Sequence, residues 1–213
     1  MFLLFHCLEC NHTKMDVGFL IDSSGSINNA DKHNFQRIKD YIKGFIKSVV
    51  IGENDTRIGI ATYSSQGNFK IRFNFTAFSS AESLVEATQN IPYDSGNTHT
   101  GEALNRIRLD LFSTIRERLP AVLIVLTDGR SQDNVTLPSK LIRDNGVHVI
   151  SVGVGSADYD ELAVIASVPN KGNIFNVSFT SLNNLVGSLV ESVCRGNLFV
   201  LTILTGTFGS LKC

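Results

Sequence analysis

Tryptophan is absent from the 213 residues, methionine occurs twice and cysteine four times. The aromatic content rests on 14 Phe and 4 Tyr, so an aliphatic–Phe core is expected. Neither charge sign is in excess: Lys+Arg number 19 against Asp+Glu 20, a net charge of -1. That balance argues against the basic patch of a nucleic-acid partner. Lys32, Lys39, Lys43 and Lys47 read instead as the solvated side of one helix. Long apolar runs are missing too. Met1–Phe5 and Leu198–Leu204 fall far short of the ~20 residues that span a bilayer, so membrane association is not indicated. Met1–Phe5 starts like a signal peptide but lacks a basic start and a small-residue cleavage site. The chain's end lacks the polar spacer of a lipid-anchor signal. Apolar residues themselves are plentiful at 43%, which excludes a disordered chain. The length suffices for one sizeable core without staples.

The four cysteines, Cys7, Cys10, Cys194 and Cys213, all lie near the ends. Cys7-x-x-Cys10 has no partner pair of the kind a zinc site uses, and the five His form no spaced metal pair. A disulfide clamp is the better reading, with three pairings open. Five Asn-x-Ser/Thr sequons occur, at Asn11, Asn54, Asn74, Asn134 and Asn176. Five in one small domain predict an extracellular, secreted and glycosylated protein.

From residue 16 to 193, strand and helix signals alternate, with no internal repeat or linker. Val17–Ile21, Arg57–Thr62, Pro120–Leu126, Val147–Val154 and Ile174–Phe179 read as strands. Asp31–Val49 reads as a helix with Phe35, Ile38, Ile42, Phe45 and Val49 on one stripe. Further helices are predicted over Ser80–Ile91, Thr100–Ile115, a segment opening at Pro138, Asp160–Ala166 and Leu182–Val193. Phe69–Phe75 differs, because Phe69, Ile71, Phe73 and Phe75 alternate with polar residues as on an antiparallel edge strand. Continuous apolar strands separated by helices predict an α/β fold: a doubly wound, Rossmann-like open sheet, mostly parallel, with helices on both faces. Residues 15–194 form the domain, with an N-terminal segment over 1–14 and an apolar tail over 195–213.

In such a sheet ligands bind at the carboxyl ends of the strands, where strand order reverses. Three loops fall there: Asp22-Ser23-Ser24-Gly25-Ser26, Gly96-Asn97-Thr98-His99-Thr100-Gly101 and Thr127-Asp128-Gly129. They offer two carboxylates and several hydroxyls, the oxygen donors that hard divalent cations prefer. Neutral hydroxyl ligands leave the metal electrophilic, so an open position would attract an outside carboxylate. Asp94 reads as a turn residue that could also reach a metal-bound water.

Asp22-x-Ser24-x-Ser26 with Thr98 and Thr127-Asp128-Gly129 resembles the metal-ion-dependent adhesion site of the von Willebrand factor A domain family. Phe19-Leu20-Ile21-Asp22-Ser23-Ser24-Gly25-Ser26-Ile27, Thr98-His99-Thr100-Gly101-Glu102-Ala103-Leu104 and Val152-Gly153-Val154-Gly155 resemble its extracellular-matrix branch, as in matrilins and collagen VI-like proteins. The resemblance implies Mg²⁺ (or Mn²⁺) as cofactor. Ser24 and Ser26 would be direct ligands, Thr98 direct when a partner is bound, and Asp22 and Asp128 would act mainly through waters. The partner would be an extracellular protein, collagen or another matrix protein, supplying an Asp or Glu. His99 and Gly129 are expected at the ligand-facing rim. The first strand starts, and the last helix ends, at the face opposite the site, which favours a Cys10–Cys194 pairing.

An enzyme is not expected. A phosphatase of the aspartyl-phosphate type needs a second acid two residues after the first, where Ser24 stands. Gly153-Val154-Gly155 is no dinucleotide loop, since Asp158 replaces the third Gly. A metal-independent structural matrix module is the other alternative.

Overall fold

A computed structural model describes residues 14–194. Six strands form one sheet in the order β3-β2-β1-β4-β5-β6. They are β1 (Met15–Asp22), β2 (Thr56–Tyr63), β3 (Phe69–Phe73), β4 (Ala121–Thr127), β5 (Val147–Val154) and β6 (Ile174–Val177). All pairings are parallel except β2 with β3, the antiparallel edge. The helices are α1 (Asn34–Lys47), α2 (Ala81–Gln89), α3 (Thr100–Asp110), α4 (Thr136–Asp144) and α5 (Tyr159–Ile165). A last helix, α6, spans residues 186–194.

The apolar runs bury both faces of the sheet, as a parallel sheet with crossover helices must. In β1, Met15, Val17, Phe19 and Ile21 join α1 and α6 residues in one core, while Leu20 joins α3 residues in a second. The α1 stripe is as expected from its spacing, with Phe35, Ile38, Ile42 and Phe45 buried and Tyr41 and Ile46 added. Lys39, expected in solvent, instead donates to the Gln89 carbonyl at 2.8 Å and ties α1 to α2.

Several boundaries differ from those read in the sequence. α1 begins at Asn34, because the Asp31 carboxylate accepts the His33 N–H at 2.9 Å and makes a separate turn. α3 stops at Asp110 and gives way to a 3-10 turn over Phe112–Thr114. The last helical segment opens as a 3-10 turn over Phe179–Leu185, capped by the Ser178 hydroxyl. Most informative is β3, whose even alternation does not hold. Ile60 pairs with Phe73 and Ala61 with Ile71, so Arg72 is an extra residue in a bulge. The slip sends Phe73 to one core and Phe69 to the other and leaves Ile71 exposed. Arg72 turns inward and donates through Nε to the Thr62 hydroxyl at 2.8 Å.

The end of the sheet where the parallel strands begin is closed by one ion cluster. Asp16, fully buried, takes Arg57 Nε and a guanidinium nitrogen at 2.8 and 2.7 Å. It also takes the Arg116 backbone N–H at 2.7 Å and Arg116 Nε at 3.0 Å. Burial alone would raise this carboxyl, but the two arginines hold it below the ordinary carboxylate range. Arg116 further donates to the carbonyls of Met15 and Asp55, each at 2.7 Å. Both chain directions meet this end. β1 starts here, and α6 descends to it, since Ser192 Oγ lies 3.9 Å from where a Cβ on Gly172, just before β6, would stand. Cys194, at the foot of α6, is 4% exposed and disulfide-bonded. Cys7, Cys10, Cys213 and Asn11 lie outside the described residues.

Candidate metal centre

Strand order reverses between β1 and β4, which lie side by side with Ile21 opposite Leu126. Their two loops therefore leave the sheet as neighbours, at the crevice where such sheets bind ligands. Asp22, the last residue of β1, is fully buried. Its Oδ1 accepts the Ser24 N–H at 2.8 Å, closing the loop on itself, and its Oδ2 accepts the Thr127 hydroxyl at 2.8 Å. One carboxylate thus holds the first loop and the end of β4 together. Ser24 Oγ lies 3.0 Å from Ser26 Oγ, and the Ser26 hydroxyl donates to Asp128 Oδ1 at 2.7 Å. Ser24, Ser26 and Asp128 form one connected string of oxygens, and Asp22 is tied to it through the Ser24 N–H.

Thr98 sits on the third loop, buried to 7% exposure. That loop is tied to both others. Gly25 N–H donates to the Gly96 carbonyl at 2.7 Å, and Gln132 N–H donates to the Thr98 carbonyl at 2.8 Å. The expected rim residues are half-buried rather than open. His99 gives its backbone N–H to the Ser64 carbonyl at 3.0 Å, and its Nδ1 is buried without a hydrogen-bond partner among the described residues. Gly129 lies beside Thr127, whose hydroxyl is 3.4 Å from the Gly129 carbonyl. Asp94 is engaged elsewhere: Lys70 reaches it at 2.8 Å and Arg72 pairs with it from the bulge. Burial works against that carboxylate, yet the two cations hold it below its ordinary range. What Asp94 brings to the site is its backbone N–H, given to Ser23 Oγ at 2.8 Å.

Residues that the motif did not reveal hold the third loop. The N-terminus of α3 has no cap from its own side chains. Its free N–H groups are met from the loop after β4 instead. Ser131 Oγ accepts from Thr100 at 2.9 Å, and the two oxygens of Asp133 accept from Gly101 and Glu102 at 2.7 Å each. Gly101 has to be small, because a Cβ there would stand 2.3 Å from the Asn134 carbonyl oxygen. Tyr93 adds a hydroxyl donated to the Ser24 carbonyl at 2.6 Å. In sequence, Ser131-x-Asp133 looks like an ordinary local turn, and no local signal shows that it caps a helix some thirty residues earlier.

The donor set suits a small hard cation. Among the described residues no group of three or more His, Cys, Asp or Glu is placed to hold a metal, so hydroxyls must share the work. Around an octahedral Mg²⁺ with oxygens at about 2.1 Å, neighbouring oxygens stand about 3.0 Å apart. The Ser24–Ser26 separation of 3.0 Å matches that edge. The electrostatics agree. Burial pushes Asp22 up to about 6, against the hydrogen bonds from Ser24 and Thr127 and with help from the nearby Asp128 charge. Burial also raises Asp128, with the Ser26 hydroxyl opposing it. Two desolvated carboxylates at one rim carry a cost that a cation would relieve.

The sequence profile of the von Willebrand factor type A domain matches residues 16–188. The collagen alpha-1(XII) chain of Notophthalmus viridescens is 35% identical over 88% of this chain and 20% of its own length. Human vitrin is 32% identical over 88% of this chain and 27% of its own length. This chain therefore spans under a third of either relative. Human cochlin is 30% identical over 89% of this chain. These are extracellular-matrix proteins. Among solved structures, proximal thread matrix protein 1 from the mussel byssus superposes with a TM-score of 0.80 at 27% identity, over 88% of this chain and 47% of that one. That structure is described as having a zinc-occupied metal-ion-dependent adhesion site.

Proposed function

Because the chain belongs to the von Willebrand factor type A domain family, we propose that it is an extracellular adhesion or matrix-assembly module binding a protein partner through a divalent cation. The observation that carries this reading is the continuous run of oxygens from Ser24 through Ser26 to Asp128 at the sheet's carboxyl rim. Ser24 and Ser26 would hold the cation directly, and Thr98 would join them when a partner is bound. Asp22 and Asp128 would act chiefly through waters. A bound Mg²⁺ or Mn²⁺ would supply the positive charge that attracts a partner's Asp or Glu. The protein's own part is to fix the hydroxyls, keep the two carboxylates desolvated and present His99 and Gly129 beside the site. The zinc described in the mussel protein supports a divalent site of this kind in a relative.

The module is residues 15–194. Cys10 and Cys194 would clamp its base, in keeping with the bonded state of Cys194. Asn54, Asn74, Asn134 and Asn176 are all exposed, which suits N-glycosylation in a secreted protein; Asn11 is a fifth candidate. A second reading draws on one observation. The Ser26 hydroxyl already satisfies Asp128, so the loops hold together by hydrogen bonds and could serve a metal-independent structural module.

Calorimetry with Mg²⁺, Mn²⁺ and Zn²⁺, then capture on immobilised collagens and other matrix proteins with and without chelator, separates the two. Metal binding and chelator-sensitive capture are expected. Absence of metal heat would overturn the proposal, and capture indifferent to chelator would favour the structural module.

A further inference from the structure

We propose that Asn134 carries an N-linked glycan that stands over the cleft beside the metal-site loops and bars bulky molecules from it while leaving small ones free to enter. This rests on the extracellular reading above, since the modification needs passage through a secretory pathway.

The argument is one of placement. Of the four described sequons, Asn54 lies in the loop before β2, and Asn74 follows antiparallel β3. Both are at the end of the sheet opposite the site. Asn176 is on the edge strand β6. Asn134 alone among them belongs to a loop of the site's rim, the segment from Asp128 to the start of α4. Two residues before it, the Gln132 N–H holds the Thr98 carbonyl at 2.8 Å. A cleft of about 300 Å³ opens at this place, lined by Asn134 with Arg130, Asp133, Asp158, Glu161 and Val164 among others.

The local conformation suits attachment. Asn134 and Thr136 are both exposed. Asn134 Oδ1 accepts the Thr136 N–H at 2.8 Å, and among the described residues Nδ2 makes no hydrogen bond. The root of a glycan would also be held firmly. The Asn134 carbonyl packs so closely on Gly101 that no Cβ fits between them, and Asp133 next to it caps α3. A bulky hydrated sugar chain fixed there cannot swing away from the cleft by moving its own loop. In the reaction, Nδ2 bonds to C1 of an oligosaccharide carried on a lipid pyrophosphate. The C1–oxygen bond to the pyrophosphate breaks, and the Nδ2 proton leaves with the released lipid pyrophosphate.

The test uses the full chain secreted from animal cells. Glycopeptide mass spectrometry after enzymatic deglycosylation reads whether Asn134 has become Asp. Access to the cleft is read on Arg130→Cys, placed on a side chain that is 77% exposed at its mouth. The probes are N-ethylmaleimide and a maleimide bearing a long polyethylene glycol chain, with the unsubstituted chain as baseline. Removing the glycan enzymatically, or by Thr136→Ala, is expected to speed the large reagent several-fold and leave the small one unchanged. An unmodified Asn134, or large-reagent rates that do not respond to glycan removal, would overturn the proposal. Mn²⁺ calorimetry on both glycoforms is expected to agree. Loss of Mn²⁺ binding in both would strike the adhesion reading and leave the glycan result standing.

Discussion

Asp22 is fully buried, and its two oxygens serve different loops, one taking the Ser24 N–H and the other the Thr127 hydroxyl. Asp22→Asn removes the charge while keeping one carbonyl acceptor in the same shape. The metal-free domain is therefore expected to stay folded, with melting little changed by circular dichroism, while Mn²⁺ heat in calorimetry is lost. Asp128→Ala is expected to do the same. An unchanged Mn²⁺ affinity in either variant would contradict the assigned ligand set. His148 gives a test of a different kind. Burial depresses its affinity for a proton, and Nε2 pairs with Asn173 Oδ1 at 2.8 Å. The unfolded chain then binds a proton more readily than the folded one. Stability should fall as pH drops through about 6.5 and below. Melting curves at several pH values are expected to show that slope, and His148→Asn to flatten it. Asp22-x-Ser24-x-Ser26 and Thr127-Asp128-Gly129 stood out in the sequence because each is short, chemically distinctive and tied to the end of a strand. Ser131, Asp133 and the backbone N–H of Asp94 did not, because each acts on a distant segment through a contact that leaves no local trace.

At the scale of elements, the helices and buried strands were readable from periodicity, which both cores confirm through α1 and β1. Helix ends were misread where a local turn or 3-10 segment replaces the α-helix, and one strand was misread where a single residue breaks the period. In β3 the alternation of Phe69, Ile71 and Phe73 is intact in sequence, yet the bulge at Arg72 sends Phe69 and Phe73 to opposite faces. The inward turn is favoured because Arg72 can meet Asp94 and Thr62 together. α3 offers a test in which two effects oppose each other. Ala in place of Gly inside a helix should gain up to about 1 kcal/mol from propensity. At Gly101 the new Cβ would meet the Asn134 carbonyl oxygen at 2.3 Å, an overlap with backbone that must be relieved by moving a loop. Overpacking of this sort costs typically about 1–3 kcal/mol. Gly101→Ala is therefore expected to lower the stability read by urea denaturation. A variant more stable than the parent would show that the α3 contact is loose.

For the whole molecule, a doubly wound, mostly parallel sheet with one antiparallel edge followed from the apolar runs and the crossover rule, while the strand order itself comes from the structure. The closure of the far end did not follow. Asp16 stands in an apolar strand, and nothing local tells that Arg57 and Arg116 converge on it. Taking the charge from one member of a buried, hydrogen-bonded cluster leaves the others uncompensated, at a cost of about 3–5 kcal/mol. Asp16→Asn is expected to lose stability in that range by chemical denaturation, while Mn²⁺ binding by the folded fraction persists. Coupled loss of metal affinity at temperatures where the variant is folded would show that the two ends of the sheet are not independent.

The start of β1 and the foot of α6 share the end that Asp16 closes, and the hydroxyl rim faces the other way. A polypeptide entering and leaving by the same door can hang this unit from a longer strand like a pendant, with its bearing surface turned outward. Neighbouring beads could then be added or removed without rebuilding that surface.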